Sequence, residues 1–134
     1  MVAFDRISIV TLNDLQDSVI TTYASGVDLP GIQEGTITPL HNSIAKKAIE
    51  SKRVTSFGQE DILSHNKAAG LNNIEVDADM TSLLIAPLIW QNGVIGAVYF
   101  RRSNPHPFPP ADIEFGAQIA AQISGAVENA RLLH

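Results

Sequence analysis

The sequence predicts an α+β domain: a central antiparallel sheet of five or six strands, flanked by helices and followed by a long C-terminal helix. Three observations carry this reading. Two β-rich runs, Ser82 to Trp90 and Val94 to Arg101, are joined by Asn92-Gly93, the pair favoured in tight type I′ hairpins. From Ala111 almost to His134, beyond the cluster Pro105, Pro107, Pro109 and Pro110, apolar residues recur at helical spacing. Between these two signals and the N-terminus, strand-like and helix-like segments follow one another without regular βαβ alternation.

Taken in order, Arg6 to Leu12 holds apolar residues at both parities, Ile7 and Ile9 against Val10 and Leu12, which suits a strand covered on both faces. It belongs near the sheet centre. Asn13, Asp14 and Asp17 supply turn chemistry, and Ser18 to Ser25, rich in β-branched residues and ended by Gly26, completes a hairpin. Pro30, Gly31 and Gly35 mark a loop, after which Thr36 to Thr38 forms a short strand before Pro39. Asn42 or Ser43 caps a helix whose apolar positions Ile44, Ala45, Ala48 and Ile49 keep helical spacing as far as Arg53. Val54 to Phe57 reads as a short edge strand, and Asp61 to Ala69, ended by Gly70, as a helix. Leu71 to Asp79 has no period and reads as a polar loop. The last helix carries Ile119, Ile123, Ala126, Ala130 and Leu133 in steps of four and three residues, a stripe that must cover, or be covered by, something.

Composition narrows the function classes. At 134 residues with 45% hydrophobic content, the chain has the size and core material of one domain, 1–134. Its net charge of −5 offers no basic field for a phosphate backbone, so nucleic acid is not an expected partner. No apolar run approaches the roughly 20 residues that span a bilayer, and no basic segment followed by a hydrophobic one opens the chain, so neither a membrane nor a secretory route is expected. A cytoplasmic location is the expectation. The complete absence of cysteine removes disulfides, thiolate nucleophiles and thiolate metal sites.

Residues 82 to 130 are similar to the second half of GAF domains. Ser82-Leu83-Leu84-Ile85-Ala86-Pro87-Leu88 resembles the family's serine, apolar run and Pro-Leu strand, and Asn92-Gly93-Val94-Ile95-Gly96-Ala97-Val98 resembles its hairpin. Phe108 and Asp112 match the phenylalanine and aspartate before the last helix, and Glu128-Asn129-Ala130 the end of that helix. The first half agrees mainly in element order. GAF domains are sensory or regulatory units of bacterial-type signalling proteins such as sensor histidine kinases. The resemblance therefore implies a non-enzymatic module of a larger multidomain protein, one that binds a small molecule and signals to an adjoining output domain through a helical dimer interface. The alternative is a ligand-free dimerisation module. The helix that usually precedes the family's first strand is missing, since strand-like sequence begins almost at Met1. Its absence implies apolar surface beside the last helix, and a homodimer through Ile119, Ile123, Ala126, Val127, Ala130 and Leu133 is expected.

Members of the family differ more in ligand than in fold, so each ligand class is weighed by its own residues. The usual covalent tetrapyrrole link and the family's methionine-sulfoxide reductase chemistry both need cysteine, which is absent. Cyclic-nucleotide binders carry Asn-Lys near the end of the last hairpin, then phenylalanine followed after three residues by Asp-Glu. Here Arg101-Arg102 stands in the first place, Asn66-Lys67 lies far upstream, and Ile113 replaces the glutamate, so cyclic nucleotide is not the expected ligand. Asp112 more simply complements the dipole at a helix start. Of His41, His65, His106 and His134, no two have the helical spacing of a metal pair; His65 is the best single haem candidate, although a loop histidine is the plainer reading. Glu75, Asp77 and Asp79 lack the glycine and distal glutamate of a calcium loop, and no Gly-x-Ser-x-Gly elbow or phosphate loop is present. No catalytic or metal residue is assigned. Trp90 and Tyr99 read as packing residues. By analogy with the family, a ligand lies between one sheet face and the middle helices, lined by residues such as Tyr23, Phe57, Asp61, His65 and Ser82, while its identity stays open.

Overall fold

The computed structural model describes residues 4–26, 33–69 and 82–132. The elements run β1 (Arg6–Leu12), β2 (Ser18–Gly26), β3 (Ile37–Pro39), α1 (Lys46–Ser51), β4 (Thr55–Phe57), α2 (Gln59–Ala69), β5 (Ser82–Trp90), β6 (Gly93–Arg102) and α3 (Pro110–Leu132). The strands form one antiparallel sheet in the order β3-β2-β1-β6-β5-β4, which is the α+β architecture the sequence predicts, with six strands. β1 lies inside the sheet and β4 at its edge, both as expected. The expectations for Pro30, Gly31, Gly70, the acidic stretch 71–79, Leu133 and His134 lie outside the described residues. Among the described residues no helix is long and apolar enough to cross a membrane.

Strand alternation divides the interior in two. One sheet face presents Val10, Leu12, Leu83, Ile85, Ala97 and Tyr99 to Ile44, Ala45, Ala48 and Ile49 around α1 and to Ile62 of α2. The other presents Leu84, Ala86, Leu88, Val98 and Phe100 to α3 and Phe108, with Ile7 and Ile9 half-buried beside them. The near-continuous burial of β5 from Ser82 to Leu88 follows from helices on both sides.

Two local details depart from the sequence reading. First, the β5–β6 turn is formed by Gln91 (φ 51°) and Asn92 (φ 69°), with Trp90 opposite Gly93, so the two left-handed positions sit one residue before the Asn92-Gly93 pair. The register pairing Leu84 with Phe100 and Leu88 with Gly96 keeps the apolar side chains on the α3 face. An Asn92-Gly93 turn would slip that register and turn them to the other face. An irregularity between Leu88 and Ile89 absorbs the extra residue, and Lys52 Nζ steadies the turn by donating to the Asn92 carbonyl at 2.9 Å.

Second, α1 is shorter than its apolar spacing suggests. Leu40–Asn42 makes a single 3₁₀ turn, and extended Ser43 (ψ 137°) separates it from α1, which stops at left-handed Lys52 (φ 58°), near the expected end. The Ser43 hydroxyl bonds the Ala45 amide at 3.2 Å, a local turn bond, while the N-cap position is held by Ala45 without a side-chain cap.

Gly116, Ala120, Ser124 and Glu128 form the buried seam of α3. Small residues let the helix axis come close: a Cβ on Gly116 would stand 3.0 Å from Leu84 Cδ2, and one on Gly125 3.2 Å from Trp90 Cζ3. Ile119, Ile123 and Val127 flank this seam half-buried, and Ala126 and Ala130 are exposed.

Candidate functional site

The face opposite α3 carries a groove of about 660 Å³ between the α1 region and α2. Ile44 and Phe57 supply its apolar walls, Ser43 and Ser51 its hydroxyls, and His41, Lys46, Lys47, Glu50 and His65 its ionisable groups. Each wall has a local cause. The 3₁₀ turn brings His41 toward α1, the helical spacing of α1 places Lys46, Lys47, Glu50 and Ser51 around its groove side, and edge strand β4 holds Phe57 half-buried beside α2.

The groove floor is tied to the sheet through Ser43. Its Oγ shares a hydrogen bond with the Tyr99 hydroxyl at 3.3 Å, and the Tyr99 ring lies 4.9 Å beneath the Arg101 guanidinium. Arg101 in turn donates from Nη1 to Ser8 Oγ at 3.2 Å, and its cross-strand neighbour is Arg6. Both arginines are 2% exposed. Such buried cations occur only where specific contacts hold them, so this polar column makes the position of Ser43 dependent on the sheet centre.

Of the five ligand residues suggested by the sequence, the structure brings Phe57 and His65 together in this groove. Asp61 sits at the start of α2, where its Oδ2 accepts the Gly58 amide at 2.8 Å, the side chain-to-backbone half of a capping box. It faces a separate cavity of about 330 Å³ with Pro105 and His106. Ser82 is fully buried on the α3 face, where its Oγ accepts Arg102 Nε at 3.0 Å, and Arg102 covers the Phe108 ring at 4.1 Å. Tyr23, opposite Ile9, also belongs to the α3 face and is 46% exposed. The strand parity that separates Ser82 from Phe57 is readable only once the register is known: Phe57 pairs with Leu83, one residue on. Tyr99 is buried as a packing residue, and Trp90, though 41% exposed, lies against Gly125 of α3.

Sequence reasoning passed over Ser43, Lys46, Lys47 and Arg101 as site residues. The adjacent lysines beside His41 in an acidic chain, and an arginine at the inward parity of a β-rich run, were the available signals. Among the described residues no three histidine, aspartate or glutamate side chains converge to hold a metal.

A six-stranded antiparallel sheet with a groove under two short helices on one face and a long C-terminal helix on the other defines a small α+β domain. A sequence profile of the GAF domain matches residues 3–128, and the chain belongs to that family, whose members are sensory and regulatory domains of signalling proteins. Solved structures agree in fold. The GAF domain of a two-component sensor histidine kinase from Bacillus halodurans is 18% identical, with a TM-score of 0.72 over 99% of this chain and 87% of that one. The GAF domain of the Acinetobacter phosphoenolpyruvate-protein phosphotransferase is 17% identical, with a TM-score of 0.72 over 97% of this chain and 74% of that one. The type II free methionine-R-sulfoxide reductase of Thermoplasma acidophilum is 14% identical, with a TM-score of 0.71 over 94% and 80%. A sequence search of curated proteins gives no significant match.

Proposed function

We propose that the chain acts as a non-enzymatic sensory module in the cytoplasm: a small molecule binds in the α1–α2 groove, and the occupied state is passed to an adjoining output domain through a homodimer of the last helix. The observation that carries the ligand site is the groove itself, an open space of about 660 Å³ in which polar and ionisable side chains converge around the apolar Ile44 and Phe57. Concavity with converging polar groups is a physical mark of a small-molecule site. A reductase reading, which one structural relative suggests, has no support in the residues, because the chain contains no cysteine to serve as a thiol.

The test is a thermal-shift screen over metabolites, repeated on Phe57→Ala. A ligand that raises Tm in the parent is expected to lose most of its effect in the variant, because half-buried Phe57 forms an apolar wall. Unchanged binding of a confirmed ligand would move the site elsewhere.

The dimer rests on a second observation. Half-buried Ile119, Ile123 and Val127, exposed Ala126 and Ala130, half-buried Ile7 and Ile9, and exposed Tyr23 lie on the same side of the sheet. This surface also favours the second reading, in which the domain only holds two output domains in register. Sedimentation of the parent chain is expected to show dimers that Ala126→Glu with Ala130→Glu shifts to monomers, with Tm little changed since both side chains are exposed. A monomer at every concentration sinks both the helical interface and the register-holding alternative.

A further inference from the structure

We infer that the groove selects a small organic anion, a carboxylate or phosphate monoester attached to an apolar or aromatic body; this rests on the groove being the ligand site. The charge around the groove is opposite in sign to that of the chain. The protein carries −5, yet two ammonium groups, Lys46 and Lys47, face the groove against one carboxylate, Glu50. Among the described residues neither lysine side chain makes an ion pair or hydrogen bond, which leaves both ammonium groups to meet an incoming acid. A cleft in which one sign of charge predominates above low-dielectric walls concentrates the field on whatever enters it. Here those walls are Ile44 and Phe57, so the part of the ligand away from its charge is apolar. Hydroxyls also line the space, and Ser43 is held in place by its hydrogen bonds to Tyr99 and the Ala45 amide, which gives an oxyanion a positioned neighbour instead of a mobile one. A neutral ligand would gain nothing from the lysines, and a cationic one would meet repulsion.

Three probes of one shape separate these possibilities: phenyl phosphate, 2-phenylethanol and 2-phenylethylammonium, titrated at constant ionic strength while the backbone amide resonances are followed. Phenyl phosphate is expected to shift amides of residues 43–51, 57 and 65, and the ammonium to leave them unmoved. The double variant Lys46→Ala/Lys47→Ala is expected to raise the Kd for phenyl phosphate about tenfold or more, whereas Lys46→Arg/Lys47→Arg keeps it within about threefold. Both lysines are exposed, and the unperturbed remainder of each variant's spectrum reports that it is folded. If the alcohol or the ammonium binds the groove as well as the phosphate, or if removing the lysines changes nothing, the anion class is wrong although the groove stands. If none of the three perturbs the groove, or the phosphate acts only elsewhere, the groove reading and the anion class fall together.

Discussion

Phe100→Ala is expected to cost about 3–5 kcal/mol of unfolding free energy, the usual range for removing a fully buried phenylalanine. The ring is 0% exposed at the centre of the sheet, between Leu84 and Val98 on one side and α3 on the other. Its edge comes close enough to Gly116 that a Cβ there would stand 3.8 Å from Phe100 Cε2, and Phe4 meets it edge-on at 5.3 Å between centroids. Truncation leaves a void beside Gly116, which has no side chain to move into it. Against a total stability of about 5–15 kcal/mol the loss is a large fraction. Equilibrium urea unfolding of the variant and of Phe100→Leu measures it; a leucine variant as damaged as the alanine one would show that shape, not volume, governs the site.

Gly96→Ala is expected to cost about 3 kcal/mol or more, with a fall in Tm of roughly 10 °C, through the opposite defect. Gly96 lies in β6 between Thr11 of β1 and Leu88 of β5. A Cβ there would overlap the Val10 carbonyl oxygen and approach Thr11 Cα at 3.0 Å. The obstacle is backbone, so no rotamer change relieves it, and β1 must move away from β6 at the centre of the sheet. The loss should appear in calorimetry together with faster amide exchange at residues 10–12 and 95–97. A variant as stable as the parent would mean that β1 and β6 are less tightly paired than the register indicates.

The elements with strong periodic signals were legible. β1 and β5 fall where their apolar runs place them, and α3 begins at Pro110, where the proline cluster ends and a missing N–H costs nothing in a first helical turn. The details that went astray depend on long-range pairing. Asn92-Gly93 is the better local turn, but the register that buries Leu84, Leu88 and Phe100 together outweighs the local preference of two residues. The seam of α3 was not legible either: glycine, alanine and serine line it because close approach to the sheet favours small residues, with the isoleucines packed at its flank. The candidate site residues divide in the same way: Phe57 and His65 line one groove, whereas Ser82 and Tyr23 lie on the other sheet face, which only the register reveals.

By itself, then, the sequence determined the order of elements, the α+β class, the family and the absence of thiol chemistry, because these depend on local periodicity, motif order and composition. Only the tertiary structure decided which side chains share a face and hence that Ser43, Lys46 and Lys47 meet Phe57 and His65 in one groove, while Arg101 supports it from beneath through Tyr99. The physical reason is the two-residue period of a strand: a single step in register moves a residue from one side of the sheet to the other, and that step is set by packing across the whole domain.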